Sequence, residues 1–226
     1  MGRGEQVGGT NGLLQRPGGL TGRPISATLP AMRHLLHALI ISSALVATAA
    51  AEPLSDVDRQ RVLAHYAMTD AWLASEVAAL TAAQQTWRAD PSSWSITDVV
   101  EHLAVAEDQY WSELQASLTQ PLGQKSTIAD DRILWYGIDR TRRDRTGEAR
   151  VPTGRYKTTA DALAAFDKQR AVIRTFATTT QEDLRGRLLK GSPMDVYQWL
   201  LMISSHSQRH ILQIREIKAA AEFPKR

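Results

Sequence analysis

The chain contains no cysteine. That absence excludes disulfides, thiolate metal ligands, a cysteine nucleophile and a lipid anchor on a mature N-terminal cysteine. No apolar run reaches the ~20 residues a membrane-spanning helix needs. After Glu52 the alternating apolar–polar pattern of strands is scarce, which argues against a sheet. A charge imbalance is missing as well. The whole chain has a formal charge of +3, but residues 1–51 carry four arginines against one acid, so Glu52 onward holds 23 basic and 23 acidic residues. A neutral body gives no support for binding a phosphate backbone, and no nucleic-acid partner is expected.

Residues 1–31 hold eight of the fourteen glycines and show no apolar periodicity. Such a composition buries too little surface to offset the entropy of ordering, so the segment is expected to be disordered. Met32-Arg33-His34 then forms a short basic region, Leu35 to Val46 an apolar one, and Ala49-Ala50-Ala51 a small-residue cleavage signal. Residues 32–51 therefore read as a signal peptide cut after Ala51, the better reading over an uncleaved anchor, with translation expected to start at Met32 and 1–31 lying upstream of it. The mature protein, 52–226, is expected to be periplasmic or secreted, with no stable membrane anchor after cleavage.

Helical periodicity dominates the mature chain. A first helix is expected from about Ser55 to Trp87, with Val62, Tyr66, Leu73, Val77 and Leu80 on one stripe, ended by Pro91 in "DPSSW". A second starts at Ser95, where Ser95 and Asp98 resemble a capping box, and runs to about Thr119 with Val99, Leu103, Ala106, Tyr110 and Leu114 inward. The third covers roughly Thr159 to Ala177, with Leu163, Phe166, Val172, Ile173 and Phe176 as its apolar surface. The fourth is expected to be capped by Ser192, with Pro193 at its first position. Four amphipathic helices bury their stripes most simply against each other, so the expected fold is an all-α four-helix bundle. The long connection Gly123 to Lys157 contains "DDRILWYG", a candidate short extra helix.

Two histidines four residues apart interrupt the fourth helix in "HSQRHILQIREIK". At about 100° per residue from Val196, His206 falls near 280° and His210 near 320°, within the inward stripe or at its edge; Arg209, near 220°, falls off it. The same count from Val99 puts His102 near 300° on the second helix, again at the stripe edge, with Gln109 and Glu113 below it. His65 falls on the face of the first helix opposite its stripe and is expected to face solvent. A buried imidazole needs partners for both nitrogens. Three converging in an apolar interior are best reconciled by a divalent metal, and an i, i+4 pair is suitably spaced to chelate. An isolated HxxxH pair is a weak signal, since packed or exposed histidines give the same pattern. The inward third histidine tips the reading toward a metal on His102, His206 and His210. Zincin chemistry is unsupported, because Ser207 stands where a glutamate would follow the first histidine.

"WSITDVVEHLAVAEDQYW" and "DVYQWLLMISSHSQRHILQIREIK" resemble the DinB-like (DinB/YfiT) superfamily of metalloenzymes, over roughly Arg59 to Lys218. The matching positions are Trp94, His102, His206, Arg209, His210 and Gln213. The resemblance implies a four-helix bundle, often homodimeric, with a divalent metal on His102, His206 and His210. It implies thiol-dependent S-transferase or isomerase chemistry, although an export signal departs from the pattern and puts a cytosolic thiol in doubt. Three neutral ligands that leave metal positions open point on their own to metal-assisted hydrolysis or transfer on a small molecule. Three histidines with open positions suit Zn, Ni, Fe or Mn alike.

No catalytic residue is assigned by the sequence. Glu113, Gln109 and Asp70 are candidates to act as a base or to orient substrate, with surface positions at the stripe edge the plainer explanation. The stretch Asp139 to Arg155 holds six arginines and three acids. It reads as a solvated, self-paired loop or, more sharply, as a flap presenting a cation to an anionic substrate. Tryptophans such as Trp72, Trp111 and Trp199 are read as core and dimer contacts. The leading function is an exported metal-dependent enzyme. The alternatives are a non-catalytic metal-binding protein and a structural dimeric bundle.

Overall fold

The computed structural model describes residues 51–143 and 146–225. The segment 1–31 and the expected leader 32–51, save its last residue Ala51, lie outside the described residues. Among the described residues six α-helices occur in order: α1 (Asp56–Val77), α2 (Ala82–Thr86), α3 (Ile96–Ser117), α4 (Asp130–Ile138), α5 (Thr159–Thr179) and α6 (Val196–Lys218), with a 3-10 turn at Glu148–Arg150 before α5. The only β feature among the described residues is an isolated bridge between Leu188 and Asp195. None of the described helices is long and apolar enough to cross a membrane.

The four long helices make the expected bundle. α1 and α3 each pack against both α5 and α6, while α4 lies on another side of α6. Two boundaries differ from expectation, both because a capping box outcompetes the apolar pattern. The first helix stops at Val77, Ala79 takes a left-handed φ of 54°, and Thr81 opens α2 by exchanging bonds with Gln84. "TAAQ" is the sequence signature of that box. At α6 the cap is Asp195, paired reciprocally with Gln198, and Ser192 and Pro193 lie in the preceding turn. Ser95 and Asp98 form the box foreseen for α3. Arg59 of α1 donates to the carbonyls of Ala177, Thr178 and Thr180, satisfying acceptors that the end of α5 leaves open.

The apolar core has two parts. One gathers Val62, Tyr66, Leu114, Ile173, Leu200 and Ile203; the other gathers Leu73, Leu103, Phe166, Ile211 and Ile214. Between them runs a polar layer centred on Arg170, which is 2% exposed. Its guanidinium donates to Ser207 Oγ at 2.6 Å and pairs with Glu107, while Nε lies 3.5 Å from Asp70 Oδ1. It also stands over the rings of Tyr66 and Phe166. Burial pushes the Glu107 carboxyl up, to about 7, against the pull of Arg170. Val172, expected inward, is 43% exposed, and Arg170 occupies the inward position between Phe166 and Ile173.

α6 is enclosed by α1, α3 and α4, and every residue from Ile203 to Ile211 is buried. The α4 crossing is close because Gly137 has no side chain. A Cβ there would stand 2.8 Å from the Ser205 carbonyl oxygen and 2.8 Å from Gln208 Oε1. The helical backbone of α6 cannot yield to it as a flexible side chain could.

Gly137→Ala is therefore expected to lower stability by about 1–3 kcal/mol, from overpacking that the gain in helix propensity only partly offsets. Urea unfolding measures this, and an unchanged midpoint contradicts the tight crossing. Arg170→Met alone, which strands the buried Glu107 carboxylate, is expected to cost about 3–5 kcal/mol. Adding Glu107→Leu should recover part of that loss, and strictly additive losses would show that the two groups are not coupled.

Candidate metal centre

α3 and α6 bring His102, His206 and His210 together, with exposures of 2%, 5% and 8%. His206 Nε2 lies 3.1 Å from His102 Nε2 and 3.1 Å from His210 Nε2. One nitrogen from each ring falls within 4.8 Å of the other two. The outer nitrogens fix the tautomers. His102 Nδ1 is 2.8 Å from the Arg150 carbonyl oxygen, and His210 Nδ1 is 2.8 Å from Gln213 Oε1. Both oxygens only accept, so each Nδ1 carries the hydrogen and each Nε2 turns its lone pair inward. His206 can donate one N–H at most to that meeting point, so at least one pair of lone pairs faces without a proton between them. A cation accepts all three, and the donor set therefore fits a divalent metal ion.

Aromatic rings hold the imidazoles in place. Trp94 tilts over His102 at a centroid distance of 5.0 Å and stacks on His210 at 6.3 Å, and Tyr110 meets His206 edge-on at 5.2 Å. Burial lowers the basicity of all three rings. It takes His102 to about 4, and the neighbouring imidazoles add to the effect of burial on His206 and His210. They are neutral at physiological pH, the form in which imidazole binds metal.

The site opens into a cavity of about 660 Å³ whose wall includes Trp94, Tyr110, Tyr136, Arg140, Arg143 and Arg150 beside the three histidines. The profile of the DinB superfamily matches residues 64–214, a span that contains all three histidines. The chain belongs to the DinB superfamily. Among solved structures, it is similar to YfiT from Bacillus subtilis, described as "a probable metal-dependent hydrolase with an unusual four-helix bundle topology". That similarity has 17% identity and a TM-score of 0.43, over 74% of this chain and 89% of that one. No curated protein matches the chain.

Other candidates fall elsewhere in this DinB-superfamily bundle. Gln109 and Glu113 do not line the cavity but brace Arg150. Gln109 accepts from Arg150 Nε at 2.9 Å and donates to the Ala149 carbonyl, and Glu113 lies 3.6 Å from Arg150 Nη2. Asp70 pairs with Arg170 and Arg174 in the polar layer. His65 does not face solvent as expected; it is half-buried against α6, with Nδ1 2.6 Å from Ser204 Oγ and Nε2 3.1 Å from Gln208 Oε1. α1 packs on two helices, so its covered arc is wider than its apolar stripe. Arg209, expected off the stripe, is 4% exposed and donates to the carbonyls of Tyr136, Asp139 and Arg142. It ties the chain leaving α4 down onto α6.

Sequence reasoning missed the backbone of Arg150, because a carbonyl in a connection has no residue signature. Gln213, three residues after His210, carried one: an amide on the next turn of the same face.

The lowered basicity of these rings sets a pH dependence for the metal-free protein. In the unfolded chain histidine protonates near pH 6.5, so the contribution of these rings is complete above that pH. It is lost as pH falls, for His102 across the window from 6.5 to about 4. Urea midpoints of metal-free protein should therefore rise between pH 4 and 6.5, and replacing all three histidines by glutamine should flatten that rise. A rise that survives the replacement would place its cause elsewhere.

Proposed function

We propose that the protein holds one divalent metal on His102, His206 and His210 and uses it in hydrolysis or group transfer on a small molecule. The observation that carries this reading is the convergence of inward lone pairs from two helices, with two of the outer nitrogens committed to acceptors. A divalent cation there supplies Lewis acidity, and three neutral ligands leave its charge undiminished. The chain's own residues do the rest. Arg150 and Gln213 hold the ring orientations, and Trp94 restricts access of water to two of the rings. A cavity of about 660 Å³ is in the range that takes a small molecule and favours an enzyme over a closed structural site. The leader-like segment 32–51 supports action outside the cytoplasm, where a low-molecular-weight thiol is scarce. Hydrolysis is the favoured reaction on that ground.

Elemental analysis of protein isolated from its native compartment tests the centre. About one metal per chain is expected, and His102→Ala, His206→Ala and His210→Ala should each remove most of it while leaving the helical circular dichroism intact. Metal content indifferent to all three substitutions overturns the centre. Turnover of small esters, amides and lactones that chelation abolishes and metal restores supports the enzyme. Full metal occupancy without turnover, on these or on transfer substrates, leaves a metal-binding protein.

A further inference from the structure

The cavity wall carries an excess of cations. Among the described residues lining it are Arg140, Arg143, Arg150 and Arg209, against two acids, Asp90 and Glu216. Both acids are engaged. Glu216 accepts two bonds from Arg140, at 2.9 and 2.8 Å, and Asp90 accepts from the backbone and hydroxyl of Ser92. Arg209 is committed to carbonyls beneath the loop. Two cations remain.

Arg150 is held rather than free. Its guanidinium stands 4.7 Å over the Tyr110 ring, and it donates to Gln109 and, through Nη1, to the Tyr110 hydroxyl at 2.9 Å. That bond uses an acceptor site on the phenol and leaves its own O–H pointing elsewhere, with no acceptor among the described residues. Arg143 is exposed at the mouth and makes no hydrogen bond or ion pair with any described residue. The wall beside the histidines thus presents donors and positive charge: two guanidiniums and a hydroxyl.

We infer that the substrate is a small anion, a molecule bearing a carboxylate or phosphate, whose charged group is held by Arg143 and Arg150 with the Tyr110 hydroxyl beside the three histidines. The inference rests on the reading of that cavity as the working site, and it names the substrate class. A fixed guanidinium over an aromatic ring loses little freedom on meeting an anion, whereas Arg143 supplies charge that draws the anion in. A neutral substrate would meet the same donors without the attraction of their charge.

Calorimetric titration of the full chain with acetate, inorganic phosphate and neutral acetamide decides it, run on metal-free and on zinc-loaded protein. Saturable binding of acetate or phosphate is expected in both forms, weakening as salt is raised, with acetamide showing none. Whichever of the two anions binds more tightly identifies the head group. Arg143→Ala should weaken the anion about fivefold, the scale of one exposed charge, with zinc content unchanged. Tyr110→Phe, which keeps the ring under Arg150, should also weaken it. Acetamide binding as well as acetate, or an affinity unmoved by both substitutions, overturns the inference. Should zinc fail to bind at all, the metal centre falls, and the metal-free titrations still decide the anion site.

Discussion

One guanidinium touches all four long helices. Arg170 rises from α5 and meets Asp70 of α1, Glu107 of α3 and Ser207 of α6. Apolar stripes alone allow helices to slide and rotate against each other, since methyl groups are satisfied by many registers. A buried charge is not, because a slip of one turn would strand it in a medium that penalises an unpaired ion. The histidines inherit this register. Ser207 is the neighbour of His206 on α6, and Glu107 lies five residues after His102 on α3. Two helices pinned at that layer meet again at the imidazoles, within one turn of it on α6 and about one and a half turns along α3.

The parts of this arrangement that are legible in sequence are those written on a single helix. Angular position around α3 and α6 is enough to select His102, His206 and His210, because each helix has one dense apolar stripe and the histidines lie on its edge. The bundle comes from the same stripes. Where two local signals compete, the apolar pattern misleads. It continues past Val77, yet Thr81 and Gln84 begin a new helix there, and at α6 the pair Asp195 and Gln198 displaces Ser192 and Pro193. Caps satisfy backbone donors that an apolar pattern does not register.

Arg170 is legible in principle. It stands four residues after Phe166 and three before Ile173, on the line those residues define, and Glu107 stands four after Leu103. An arginine and a glutamate on the inward lines of two helices imply each other, since neither is stable inside alone. The covering of α6 by α4 is not legible in this way. It depends on a glycine whose importance lies in the backbone it approaches, and it buries the α6 positions, Arg209 among them, that one stripe would leave in water. The role of Arg150 is hidden for a similar reason, since half of it belongs to a carbonyl.

Arg150 joins two functions that the rest of the chain keeps apart. Its carbonyl sets the tautomer of His102, and its guanidinium faces the cavity with Tyr110. The phenol of Tyr110 is pushed up, chiefly by burial, to about 12, so it keeps its proton and acts as a donor. The two cavity acids are held by Arg140 and by Ser92, and the imidazoles are turned toward one another. No described carboxylate on the wall is free to take up protons at neutral pH. A wall rich in donors is suited to receiving negative charge. Its contribution is therefore largest where charge develops on an oxygen, as when a nucleophile adds to a carbonyl or phosphoryl group.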